Sequence, residues 1–426
     1  MKRVIDFASR TWRHFMHDSL RRNSLLLIAS QAVNAGAAFL FWIVCARLFA
    51  TETVGHATAF ISLGALIATF TTLGLPNTVV RFLPTSRTKA GLFNASLLLV
   101  GITSLIGGAI GYSLIHILAP ELSFVASSAL LGTLLISLIV GNALSALLDG
   151  TLMSFRKGHY ILLRAAIVNI PRLVLPFFVV HAGLQGIVGT YVIMLALGAI
   201  YNIIVIVRLL RGAAFKPRLD ELRGHTSFAA SNYFGGMLGI LPSTVLPILV
   251  LNNIGAAQAA YFYMPMQLAA FLGIICNATA TALFSEASQQ DNGKPTVHLA
   301  KAIRHMYQLL IPAAIGLALA GWGLLHLYGP AYVSNGYLPL LLLCAASLFI
   351  GINWIGDTWL NIQKRSFAYF AMNAVNAILV VGTAFITVRH GLLALAWGWL
   401  AAQAASAAIY LVLFARPQVR RFMTRS

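Results

Sequence analysis

Residues 24–46 read SLLLIASQAVNAGAAFLFWIVCA, a run with no charged side chain and no proline. At about 1.5 Å per helical residue, such a run crosses the roughly 30 Å hydrocarbon core of a bilayer. A cleavable secretory leader has an apolar core of about 7–15 residues, so this stretch is expected to remain as a membrane helix. It is continuous rather than alternating, and a lipid-exposed strand edge could not satisfy its backbone, which points to helix.

The same pattern recurs along the 426 residues. Apolar runs bounded by charge, proline and glycine fall at 23–47, 54–76, 91–117, 123–149, 159–181, 184–208, 226–251, 257–284, 302–328, 335–360, 366–387 and 391–415. Hydrophobic residues make up 59% of the chain and charged residues only 9%, against about 25% charged in soluble proteins. Mean hydropathy is +0.84. An ordinary soluble enzyme is excluded, and an all-α polytopic membrane protein of about twelve transmembrane helices is expected.

A net charge of +19 would suggest nucleic acid in a soluble chain, but here the basic residues separate apolar runs and act as topology signals. They cluster at residues 2–22, 81–89, 156–164, 208–223, 294–304, 364–365 and 416–425, on alternate connections. The opposite connections hold only Arg47 and Arg389, and Arg172 falls within a span. The positive-inside rule then places both termini in the cytoplasm. Residues 1–22 put Val4, Phe7, Ala8, Trp12 and Phe15 on one helical face with Arg3, Arg10 and Arg13 opposite, the pattern of an amphipathic interfacial helix.

The basic connection 209–225 divides the chain into an N-terminal six-helix lobe, 23–208, and a C-terminal one, 226–415, followed by a basic cytoplasmic tail, 416–426. A weak repeat supports the division. Leu48 to Ser86, with VGHATAF and GLPNTVVRFLPTS, runs parallel to Leu249 to Ser288, with GAAQAAYFY and ICNATATALFSEAS. Two such bundles suit alternating access about a central cavity.

Chemistry that transforms a substrate has little to stand on. The outward connections are short and carry almost no acid or histidine clusters, and no GxxxxGK[ST] phosphate loop occurs. Cys45, Cys276 and Cys344 sit inside apolar runs with no CxxC or zinc spacing. No metal and no cofactor is expected, and the chain reads as one that moves something.

Candidate residues are the polar groups in or beside the spans. Arg172 lies near mid-depth, where insertion costs about 2.5–3.5 kcal/mol on the translocon scale. It either binds an anionic headgroup or pairs with a neighbouring acid, Asn or carbonyl, Pro171 having freed one nearby. Arg81 and Arg47 end the second and first spans and either contact substrate or anchor at the interface. Asn34, Asn232 and Asn277 lie deep in apolar sequence, as helix-to-helix hydrogen-bond partners or as cavity lining. Three acids could couple an ion: Asp149, able to pair with Arg156 or Arg164; Asp357, able to pair with Lys364 or Arg365; and Glu286, the best of the three because no basic residue adjoins it.

ARLFATETVGHATAF, LGLPNTVVRFLP, LPILVLNNIGAAQAAYFYMPMQLAAFL, ALFSEAS and LYGPAYVSNGYLPLLLL together resemble the polysaccharide-transporter (oligosaccharide flippase) family of the multidrug/oligosaccharidyl-lipid/polysaccharide exporter superfamily. Ala50-Thr51-Glu52 replaces the family's Gly-Pro-Glu type of turn, and Ala260 stands where glycine is common; neither departure touches a charged position. The resemblance implies two six-helix lobes around a V-shaped cavity. It also implies a polyprenyl-pyrophosphate-linked oligosaccharide as substrate, a bacterial inner-membrane location, and a role in O-antigen, capsule or exopolysaccharide synthesis. It favours Asn34, Arg81, Asn232 and Asn277, on the cavity-lining spans of relatives, over Arg172. Membrane lipids are expected partners, with a glycan polymerase and other assembly proteins as further candidates, and nucleic acid is not expected. A monomer is compatible with all of this.

Two rivals remain: a cation-coupled multidrug exporter, disfavoured because residues 23–47 contain no acid, and a glycan polymerase or ligase, disfavoured by the short outer connections. Reporter fusions within 209–225 are expected to be active as cytoplasmic reporters and inactive as external ones. The reverse result would undo the topology and revive the enzyme reading.

Overall fold

A computed structural model of the chain describes residues 19–155, 157–210, 216–218, 220–223, 226–289, 295–363 and 365–423. The amphipathic segment expected over 1–22 therefore lies outside the described residues up to position 18, as does the end of the basic tail. Among the described residues the regular structure is helical, and twelve helices are long and apolar enough to cross a membrane.

In chain order the helices are α1 (Ser19–Leu48), α2 (Thr51–Thr71), α3 (Leu75–Phe82), α4 (Lys89–Ser113), α5 (Ile115–Leu118), α6 (Ala129–Ser154), α7 (Gly158–Phe178) and α8 (Gly183–Leu209). They continue with α9 (Asp220–Arg223), α10 (Thr226–Ile254), α11 (Ala256–Gln289), α12 (Pro295–Tyr328), α13 (Pro330–Ile362), α14 (Ser366–Thr387) and α15 (Leu392–Met423). Each of the twelve expected spans has its helix.

Several boundaries differ from the periodicity reading, and two of them have a clear local cause. The second span was expected to run to residue 76, but α2 stops at Thr71. Leu73 and Gly74 adopt φ of 52° and 70°, left-handed geometry that breaks a helix. Leu75 and Pro76 then open the separate helix α3, because proline is preorganised for a first turn and needs no hydrogen bond there. Arg81 thus belongs to this short helix and not to the end of a span. The fourth span, expected from residue 123, begins at Ala129. Pro120–Ser127 is 3-10 helix, and Ser128 caps α6 by accepting from the Leu131 amide at 3.4 Å.

The chain forms two compact units. The first comprises residues 1–44, 67–114 and 125–230; the second comprises 45–66, 115–124 and 231–426. Within the first, α6 is the central helix, packing on α3, α4 and α8, while α7 packs on α8. Within the second, α13 packs on α11, α12 and α15, and α14 packs on α15. The interlobe connection is not a free tether along its whole length. The Arg218 amide donates to Gly91 O at 3.3 Å, and Thr88 hydrogen-bonds Glu221, which ties residues 218–221 to the first turn of α4 within the first unit.

Candidate functional site

In the first unit, α7 carries Arg172 into the packed interior, 9% exposed. Its guanidinium lies 4.9 Å from the ring centre of Phe41 on α1 and 5.6 Å from that of Tyr191 on α8. Among the described residues no acid comes within ion-pair distance of it, and its buried Nε has no hydrogen-bond partner. The pairing with an acid, Asn or carbonyl that would have made it purely structural is not what the described residues form. Two aromatic faces hold the cation instead. A desolvated cation–π contact contributes about 2 kcal/mol, comparable to the insertion cost but leaving the positive charge itself uncancelled.

One turn away on α7, Asn169 donates to Asn34 Oδ1 on α1 at 2.7 Å and to its own helix at Ala165 O, also 2.7 Å. Asn34 is itself exposed. Asn34, Asn169 and Arg172 therefore form a polar seam between α1 and α7, and Phe41 extends it, seven residues beyond Asn34 on the same face. Sequence reasoning missed Asn169, Phe41 and Tyr191. The first was legible from its spacing of three to Arg172; the aromatic pair was one among many apolar residues.

Asp149 on α6 occupies a different environment in the same unit. It accepts from Arg164 on α7 at 2.9 Å and from Asn202 on α8 at 2.8 Å, so one carboxylate ties three helices. Of the two basic partners expected for it, Arg164 is the one that pairs, while Arg156 lies outside the described residues. Gly198 makes the approach possible: a Cβ there would sit 2.9–3.3 Å from the Arg164 guanidinium.

The other basic candidates are placed as follows. Arg47 donates from Nε to Leu327 O and from a terminal nitrogen to His326 O, both at 2.7 Å. Those are the last carbonyls of α12, so its guanidinium closes a helix C-terminus, where positive charge also suits the helix dipole. Arg81 is exposed on α3, 5.3 Å from the ring centre of Phe82.

In the second unit, Asn277 accepts from Thr281 Oγ1 at 3.3 Å, a contact inside α11 rather than between helices. The side chains of Asn232 and Glu286 lie outside the described residues. Asp357 on α13 was expected to pair with Lys364 or Arg365. Arg365 makes no ion pair with it, Lys364 lies outside the described residues, and the carboxylate turns inward. One of its oxygens accepts from Asn373 Nδ2 on α14 at 2.9 Å and from the Tyr410 hydroxyl on α15. Tyr410 reaches it by lying flat on Gly356, where a Cβ would meet the ring. Asp357 also lines a cavity of about 420 Å³ between α10, α13, α14 and α15.

Long apolar helices in two units, with isolated polar groups held between helices, define a multi-pass membrane protein, and solved structures share the fold. The inward-facing conformation of a multidrug resistance MATE family transporter of the MOP superfamily is similar at a TM-score of 0.68, with 13% identity over 94% of this chain and 99% of that one. A MATE transporter in complex with MaD3S gives 0.64, with 12% identity over 95% and 96%. The outward-facing MATE conformation gives 0.61, with 13% identity over 96% and 97%. Among curated protein sequences, none matches. The polysaccharide biosynthesis protein family model matches residues 20–285, well over half of the chain, and the chain belongs to that family.

Replacing Asp149 by alanine strands the Arg164 charge, at a cost of about 1–3 kcal/mol for a buried group left unpaired. The purified variant should melt earlier in detergent, and adding Arg164→Leu should recover much of the loss. A single variant as stable as the parent would show that the carboxylate does not tie these helices.

Proposed function

We propose that this protein is a flippase that moves a polyprenyl-pyrophosphate-linked oligosaccharide from the inner to the outer leaflet of a bacterial inner membrane by alternating access, both termini being cytoplasmic. The observation that carries the reading is Arg172, a membrane-embedded cation held by Phe41 and Tyr191 and given no acid by the described residues. An unpaired cation in that position suits a transient anion, and a pyrophosphate is the anion such a lipid carries. Family membership in polysaccharide biosynthesis supports the cargo class, and the MATE-like fold supports movement rather than catalysis. In this reading a glycan polymerase and other assembly proteins take the product on the outer side.

The energetics are coherent. A charged headgroup cannot enter hydrocarbon alone, since an isolated charge costs tens of kcal/mol by idealised Born solvation. A polar path that includes Arg172, Asn34 and Arg81 lowers that barrier while the isoprenoid tail stays in lipid. Two negative charges moving outward, the direction in which an inside-negative potential of about 100 mV drives them, gain about 4.6 kcal/mol. An ion-coupling carboxylate is then optional, and Asp149, already neutralised by Arg164, is not needed for one.

A cation-coupled drug exporter is the second reading. Its supporting observation is Asp357, a carboxylate with no ionic partner among the described residues. Against it, α1 contains no acid.

In proteoliposomes carrying a polyprenyl pyrophosphoryl oligosaccharide, an imposed inside-negative potential at equal pH is expected to drive outward movement, read with a membrane-impermeant hydrolase. A response only to a proton or sodium gradient would count against the potential-driven mechanism. Export of cationic dyes with no movement of the glycolipid would favour the second reading.

Arg172→Gln is expected to slow transport about tenfold or more, the worth of a charge-assisted hydrogen bond. Arg172→Lys should retain part of the rate, and neither change should lower the melting temperature, because no buried anion is orphaned. Normal transport with both Arg81 and Arg172 changed to alanine would remove the two from the path.

A further inference from the structure

The 420 Å³ cavity of the second unit has a hydrogen-bonding inventory that its own walls do not satisfy. Asn353 donates its amide to Gln403 Oε1 at 2.8 Å, leaving its Oδ1 buried with no partner among the described residues. Asn376 Oδ1 and the Trp399 indole N–H are buried and unpartnered in the same way. Asn353 and Trp399 are only 8% and 9% exposed. Asp357 engages one oxygen with Asn373 and Tyr410 and has no described partner for the other. All four residues line the one cavity, and Trp354, 41% exposed, stands at its edge. Each buried polar atom left unmade costs about 1–3 kcal/mol, so a cluster of them marks a place that something else completes.

The inventory discriminates among ligands. Three unpartnered acceptors would suit a bare cation, but the indole N–H is a donor and has nothing to offer one. A phosphate would satisfy the indole, yet Asp357 repels it. A molecule bearing several hydroxyls, each both donor and acceptor, satisfies all four groups at once. The volume lies in the range of about 300–1,000 Å³ typical of small-molecule sites. The Trp354 ring supplies an apolar face for the C–H side of such a molecule.

We infer that this cavity is a carbohydrate subsite holding one sugar ring, with Asp357, Asn353 and Asn376 accepting from its hydroxyls and Trp399 donating to one. The inference deepens the flippase reading by naming where a sugar of the cargo is held, and it rests on that reading only for the sugar's origin. It gives Asp357 a task other than ion coupling.

The test is binding of free methyl glycosides, neutral hexosides and N-acetylhexosaminides, to the full chain in nanodiscs, read by saturation-transfer NMR and calorimetry. Alkyl maltosides are avoided because their headgroup would compete. At least one glycoside is expected to bind saturably at millimolar concentration. Trp399→Phe, which removes the N–H while keeping an aromatic ring, and Asn376→Ala should each weaken it about fivefold to tenfold, the loss of one hydrogen bond. Asp357→Asn should weaken it at least as much. Asn376→Ala breaks no contact the structure describes, so it remains informative if the other variants fail to fold.

No binding across the panel would overturn the inference and leave a water-filled cavity. Binding undiminished in Trp399→Phe and Asn376→Ala would overturn it by placing the sugar elsewhere. Stabilisation by sodium over choline at fixed ionic strength, abolished by Asp357→Asn and unaccompanied by glycoside binding, would overturn it in favour of a cation site. Glycoside binding that persists where glycolipid movement fails would count against the transport reading alone.

Discussion

Hydrocarbon offers no hydrogen bonds, and every part of this protein answers to that constraint. It forces the backbone into helices that satisfy themselves. It also makes each interior polar side chain an exception that must be accommodated locally, and the described charges are accommodated in three ways. Asp149 is neutralised by Arg164 and steadied by Asn202. Asp357 is held by an amide and a phenol with no cation. Arg172 sits between two aromatic faces. The first arrangement is closed, whereas the other two leave a charge uncancelled by the described residues, one of each sign and one in each unit.

Close helix approach is what brings these groups together. Without a hydrophobic drive between helices in lipid, association depends on packing, and small residues let helices touch. Gly198 accepts the Arg164 guanidinium against α8, and Gly356 accepts the Tyr410 ring against α13. In both cases the glycine carries no polar group itself but sets where the polar contact forms. The central helices α6 and α13 therefore hold Asp149 and Asp357, both half-buried, as well as much of the packing of their units.

In the proposed flippase, the two uncancelled charges suit the two halves of one amphiphilic cargo. A cation flanked by aromatic rings is matched to phosphate, while a carboxylate among amides and indoles is matched to hydroxyls. A lipid-linked oligosaccharide carries both, joined to a tail that need never leave the bilayer. On that proposal the membrane potential acts on the phosphate charges alone, so the sugars add to the polar surface to be sheltered without adding to the electrical work.

Span number and helical character were legible in the sequence, because hydrophobic length is a property of the chain one segment at a time. Arg172 stood out for the same reason: a charge within an apolar run is conspicuous whatever surrounds it. Which polar groups meet was not legible. Arg47 reads as either a substrate contact or an interfacial anchor, and only the fold sets its guanidinium on the carbonyls of α12; Asp357 reads as a rim acid until α14 and α15 enclose it. The cavity beside Asp357 draws on four helices from residue 236 to residue 403. Its unpaired atoms belong to ordinary asparagines and a tryptophan along the chain, and only tertiary packing removes their water and gathers their residues around one cavity.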